Sequence, residues 1–88
     1  MHELSMYTTD GEFQKDFNEL RKITHYKLMN TPGIAKVSKI LGVILNEGSS
    51  YIYWRSTQKD IQADFAKKKY ESAMMELKNL VEEYYKGV

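Results

Sequence analysis

Cysteine is absent from these 88 residues, so no disulfide framework and no thiolate chemistry is available. The same absence fits a reducing compartment, and the expected location is the cytoplasm. Proline occurs once, at Pro32, and no glycine or proline falls between residues 49 and 86. Apolar runs are short. The longest, Ile40 to Leu45, is six residues including Gly42, far below the length of a membrane span. Residues 1–9 have no basic start and no apolar core, so no signal peptide is expected. The net charge is only +1, which argues against a dedicated binder of duplex DNA. Chemistry is scarce as well. His2 and His25 stand alone, with no cluster at metal-ligand spacing, and His25 reads as a half-buried helix residue. There is no glycine-rich phosphate loop and no nucleophile elbow. The carboxylates Asp60, Asp64, Glu82 and Glu83 read as ordinary helix surface. No enzyme activity and no cofactor is expected.

What remains is a composition of 42% apolar and 28% charged residues, which suits one small folded domain. Thr9-Asp10-Gly11-Glu12 has the Ser/Thr-x-x-Glu form of a capping box. After it, Phe13, Phe17, Leu20, Thr24 and Leu28 share one helical face. Thr31 then offers an N-cap and Pro32 a first-turn residue, and Ile34, Val37, Leu41 and Ile44 resume the periodicity. The pattern predicts one helical arm over 10–46, kinked near Pro32, after an N-terminal segment at 1–9. Residues 47–50 carry the strongest turn signal, with Gly48 able to end a helix and Ser50 to cap the next. The segment 51–54 has strand propensity. Its register favours a helix instead: Tyr51, Trp54, Gln58, Ile61 and Phe65 recur at three and four, and the stripe continues through Tyr70, Ala73 and Leu77. A second arm over 51–86 follows. The fold class is therefore all-α, an antiparallel helical hairpin in a single domain. Ile40, Val43, Leu45, Met74, Met75, Val81 and Tyr85 lie beside the main stripes, and this surplus predicts a homo-oligomer.

Charge is unevenly spread: residues 1–32 sum to −1, residues 33–70 to +4, and residues 71–88 to −2. The middle band reads either as a solvated helix face or as a site for a small anion. Seven tyrosines and one tryptophan are a high aromatic load, and most belong to core or interface. Tyr7 precedes the first helix and no stripe claims it. It is either tucked against the hairpin or acts as a lid stacking on a planar ligand. Arg21 and Lys22, on the first arm, would then reach a phosphate beneath such a ring.

Two stretches resemble the phage anti-CBASS proteins that sequester cyclic oligonucleotide signals. Tyr7-Thr8-Thr9-Asp10-Gly11, leading to Phe17-Asn18-Glu19-Leu20-Arg21-Lys22, is similar to that family's N-terminal aromatic and first helix. Lys69-Tyr70-Glu71-Ser72-Ala73-Met74-Met75 is similar to a Lys-Leu-Glu-x-Ala-x-Met run on its second hairpin helix. The two cover about a quarter of the chain, and residues 31–56 make both arms longer than the family pattern. The resemblance implies a non-catalytic homo-oligomer, a hexamer, that binds cyclic dinucleotides such as 3′,3′-cGAMP between protomers and cyclic trinucleotides at a separate site. It implies Tyr7 as the stacking residue and Arg21 or Lys22 as phosphate ligands. Lys69 falls within the matching run without an assigned role. The competing expectation is a small helical inhibitor or adaptor that docks a host protein through an apolar helix face. A weak single-strand nucleic-acid binder using the 33–70 band is the third.

Overall fold

The computed structural model describes residues 3–86, with side-chain surroundings for residues 3–84, so His2 and the Tyr85 side chain lie outside the described residues. Three helices follow a 3₁₀ turn at Leu4–Met6: α1 at Asp10–Leu28, α2 at Ile34–Ser56 and α3 at Asp60–Lys86. The all-α class holds. α2 and α3 form the hairpin and share the most extensive interface.

The capping box forms with a shift of one residue. Thr9 Oγ1 accepts from the Glu12 backbone N–H at 3.2 Å. The Glu12 carboxylate, however, accepts from the Thr8 N–H at 3.3 Å and from the Thr8 hydroxyl, not from Thr9. One orphan N–H at the start of α1, that of Glu12, is thereby engaged, and Thr8, just ahead of the cap, is held in place by the same glutamate.

Pro32 does more than kink an arm. Residues 29–33 break the helix, and Thr31 closes α1 rather than capping α2: its hydroxyl donates to the Leu28 carbonyl at 2.8 Å. Gly33 occupies the N-cap position of α2 with no side-chain cap. α1 then turns back along α2. The proof is Phe13, near the start of α1, whose ring lies on Gly48, well past the middle of α2. A straight or gently kinked arm would hold those two residues tens of ångströms apart.

The turn expected at 47–50 is helical and lies within α2. Gly48 serves packing instead of termination: a Cβ there would fall 2.6 Å from Phe13 Cε2. The absence of that carbon lets the aromatic ring sit against the α2 backbone. The chain reverses ten residues later. Lys59 N–H donates to the Trp54 carbonyl at 2.9 Å and Gln58 N–H to the Arg55 carbonyl at 3.1 Å. These are the two bonds of a Schellman motif, with Gln58 at φ 61° in the left-handed position that glycine usually fills. Because the helix ends there, the stripe before the turn does not carry through it. Gln58, Ile61 and Phe65, expected on the buried face, are exposed. α3 instead buries Ala63, Ala66, Tyr70, Ala73 and Leu77. Its three alanines let α3 approach α2 closely.

The surplus apolar surface is partly absorbed by this third helix. Ile40 is buried, and Leu45, Met74 and Val81 pack against the core, while Val43 and Met75 stay exposed. Phe13, Leu28, Val37 and Ile44 are the largest fully buried side chains, so the core lies where α1 crosses the α2–α3 hairpin.

Candidate functional site

Tyr7 is a core residue. Its ring is 3% exposed and meets Phe13 edge-on, with centroids 5.4 Å apart. Its hydroxyl donates to Asp16 Oδ2 at 2.8 Å. Phe13 in turn contacts Tyr70, with centroids 6.0 Å apart. Burial pushes the Tyr70 phenol pKa up, and the Asp16 charge adds to the rise. Arg55, at the end of α2, fixes the segment from outside: one guanidinium nitrogen donates to the Ser5 carbonyl at 2.8 Å and another to the Tyr7 carbonyl. The Arg55 guanidinium also lies over the Tyr51 ring, 5.2 Å from its centroid. The tucked reading of Tyr7 is thus the observed one, and the stacking-lid reading is corrected. A lid needs an open ring face, and here a carboxylate sits beside the hydroxyl where an anionic ligand would have to approach.

The other expected site residues are not gathered around Tyr7. Arg21 and Lys22 are exposed on α1 and line neither the groove that holds Lys69 nor the one between α1 and α3. Lys69 lines a shallow groove of about 440 Å³ between α2 and α3, together with Lys39 and Glu47 of α2 and Glu76 of α3. Two lysines and two glutamates leave that groove without net charge.

A wider concavity than the Lys69 groove lies between α1 and α3, with a volume of about 790 Å³. Its existence follows from the topology. α1 rests on α2 and meets α3 little, so the third side of the bundle stays open. Leu20 and Thr24 from α1 and Tyr70, Met74, Leu77 and Val81 from α3 supply its apolar lining. Thr24 adds no stray polarity, because its hydroxyl donates to the Leu20 carbonyl at 2.7 Å. Lys27, Lys67 and Lys78 alternate with Glu3, Glu71 and Glu82 around the rim, for a formal sum of zero. Leu4 and Ser5 of the strapped N-terminal segment close one end. Two exposed apolar residues, Ile23 at 54% and Met75 at 57%, stand on the opposing walls.

Nothing local in the sequence marks this groove. In the sequence Met74 and Met75 count only as surplus, and Lys67 belongs to the 33–70 band that reads as a solvated face or a small-anion site. The α3 side of the groove was legible as the spacing of Tyr70, Met74, Leu77 and Val81. The α1 side was not, because the reversal at residues 29–33 carries α1 to this face.

Among the described residues no group of three or more His, Asp or Glu side chains is arranged to hold a metal ion. No helix among them is long and apolar enough to cross a membrane. Neither a protein-family model, nor a curated protein, nor a solved structure matches this chain.

Proposed function

We propose that this chain is a non-enzymatic binding protein of the small helical inhibitor or adaptor class, whose α1–α3 groove takes one amphipathic helix. The observation that supports this reading is the groove itself, an open trough with an apolar floor and a charge-neutral rim. Three helices with one open side resemble a four-helix bundle lacking a member, and a docked helix buries the exposed stripe in the way such bundles do. From Lys67 to Glu82 the α3 wall runs 16 residues, a rise of about 22 Å at 1.5 Å per residue. That length accommodates about four turns, enough for anchors at i, i+3, i+4 and i+7. A small dianion gains little there, since each rim lysine is offset by a glutamate.

Sequestration of cyclic di- or trinucleotides in the same groove is the second reading. The presence of Lys27, Lys67 and Lys78 in one groove with the Tyr70 ring favours it, together with the resemblance of two segments to anti-CBASS proteins. Under either reading the chain works in the cytoplasm, that of the host cell if it is phage-encoded.

A displayed library of helical peptides, panned against the chain and counter-selected against Met75→Glu, separates the two. The helix-binding reading expects enriched peptides with apolar anchors at helical spacing that lose about tenfold or more in affinity on Met75→Glu. It expects no calorimetric signal from 3′,3′-cGAMP or cyclic trinucleotides. Saturable cyclic-nucleotide binding abolished by Lys67→Glu, with no peptide enriched, would establish the second reading in its place.

A further inference from the structure

The groove-facing residues of α3 form a charge palindrome. In chain order its charged and methionine members are Lys67, Glu71, Met74, Met75, Lys78 and Glu82, with Tyr70, Leu77 and Val81 completing the α3 lining of the α1–α3 groove. Reversed, the same order reads Glu, Lys, Met, Met, Glu, Lys. When two copies of α3 lie antiparallel about a two-fold axis between Met74 and Met75, every charge meets its opposite. Lys67 faces the second copy's Glu82, Glu71 faces its Lys78, and Met74 faces its Met75. The symmetry repeats each pair, so the contact contains four cross-helix ion pairs around a four-methionine centre.

We infer that a second copy of this chain occupies the groove, its α3 running antiparallel to the first along residues 67–82. This rests on the reading that the groove accepts a helix, and it names that helix. Three observations converge on it. Steps of four, four, three and four from Lys67 through Glu71, Met75 and Lys78 to Glu82, with Met74 beside Met75, hold all six residues on one face of an uninterrupted helix. Met75, next to the axis, is 57% exposed in the single chain although it is apolar and flexible enough to repack. The rim is neutral overall yet strictly patterned, which gives an isologous contact its register without attracting arbitrary ions. Parallel pairing in the same register sets like against like at all four charged positions, so the pattern selects one orientation.

The test is sedimentation velocity and equilibrium across the micromolar range on the full chain, with charge reversals as probes. Glu71→Lys alone places lysine opposite lysine twice per dimer, and Lys78→Glu alone places glutamate opposite glutamate twice. Each single reversal is expected to weaken self-association by about tenfold or more. The double variant Glu71→Lys with Lys78→Glu restores opposite charges at every position and is expected to recover dimerisation. Both side chains are exposed, so circular dichroism should show intact helices in all three variants. A wild-type chain that stays monomeric throughout overturns the inference. So does a dimer that neither single reversal weakens, or that the double reversal fails to rescue. Peptide capture by a monomeric wild-type chain overturns the dimer alone and leaves the helix-binding reading standing, whereas a rescued dimer that captures no peptide identifies this chain as the groove's own partner.

Discussion

Gly42 and Gly48 both lie inside α2, and neither has positive φ, so both can accept alanine as far as the backbone is concerned. Each Gly→Ala change contributes roughly 0.8–1.0 kcal/mol of helix propensity. Their surroundings differ completely. A Cβ at Gly42 meets nothing within 4 Å, so Gly42→Ala should stabilise the chain by about that amount. A Cβ at Gly48 falls 2.6 Å from Phe13 Cε2. Phe13 is 0% exposed and is hemmed in by the rings of Tyr7, Phe17 and Tyr70, so it has nowhere to retreat. Overpacking of this kind costs about 1–3 kcal/mol, and more when the neighbour is rigid. Gly48→Ala should therefore be destabilising by about 2 kcal/mol after the helix gain, a gap of about 3 kcal/mol between two identical substitutions on one helix. Urea melts followed by circular dichroism measure both. Equal stabilisation by the two variants would refute the packing of α1 on α2 through the Phe13–Gly48 contact. Partial rescue of Gly48→Ala by Phe13→Leu would support it.

Three further outcomes are expected. Gln58→Gly should raise stability by about 0.5–1 kcal/mol by relieving the left-handed backbone, a midpoint shift of roughly 4 °C in a thermal melt; an unchanged or lower midpoint counts against the Schellman turn at 57–59. Arg55→Met removes both bonds to the N-terminal segment while keeping the aliphatic stem, and should cost about 1–2 kcal/mol. Limited proteolysis should then cut near Leu4–Tyr7 faster than in wild type, and unaltered protection would sink the strap. Tyr70 titrates above its ordinary value near 10 in the folded chain. The unfolded chain therefore loses this proton first, and the contribution is intact below pH 10 and fades as pH rises through the folded value. Tyr70→Phe should flatten the alkaline limb of stability against pH; an unaltered limb refutes the assignment.

The readable parts of this fold were those written in local chemistry. Thr9 and Glu12 marked the start of α1 within a residue, and Pro32 marked the break before α2. The helical register of Tyr51 and Trp54 correctly overrode their strand propensity. The hairpin turn was misplaced because glycine has two uses. At Gly48 a tertiary contact with Phe13, 35 residues away in sequence, requires the missing Cβ, and nothing local distinguishes that from a helix stop. The real reversal uses Gln58 where glycine is the ordinary choice, so it left no punctuation to read. Tyr7 was equally opaque. Its burial depends on Asp16, Phe13 and the reach of Arg55 from 48 residues on, none of which falls in one stripe. The groove was lost for the same reason, since one of its walls arrives by chain reversal.

The unequal seating of α1 has a kinetic consequence. α2 and α3 are neighbours in sequence, joined by a three-residue turn that closes its own backbone bonds, so their pairing requires little loop closure. α1 joins them chiefly through α2, across a short connector. It is the piece expected to open first, uncovering Phe13 and Leu28, and the Arg55-held segment with it. Amide exchange should accordingly divide the chain into an early-opening block before residue 30 and a slower block after it. In such a ladder the wall that carries Leu20, Ile23 and Thr24 withdraws before the α3 wall does. The trough would thus widen into a flat two-helix face without the hairpin unfolding, giving the chain two distinct surfaces at two different free energies.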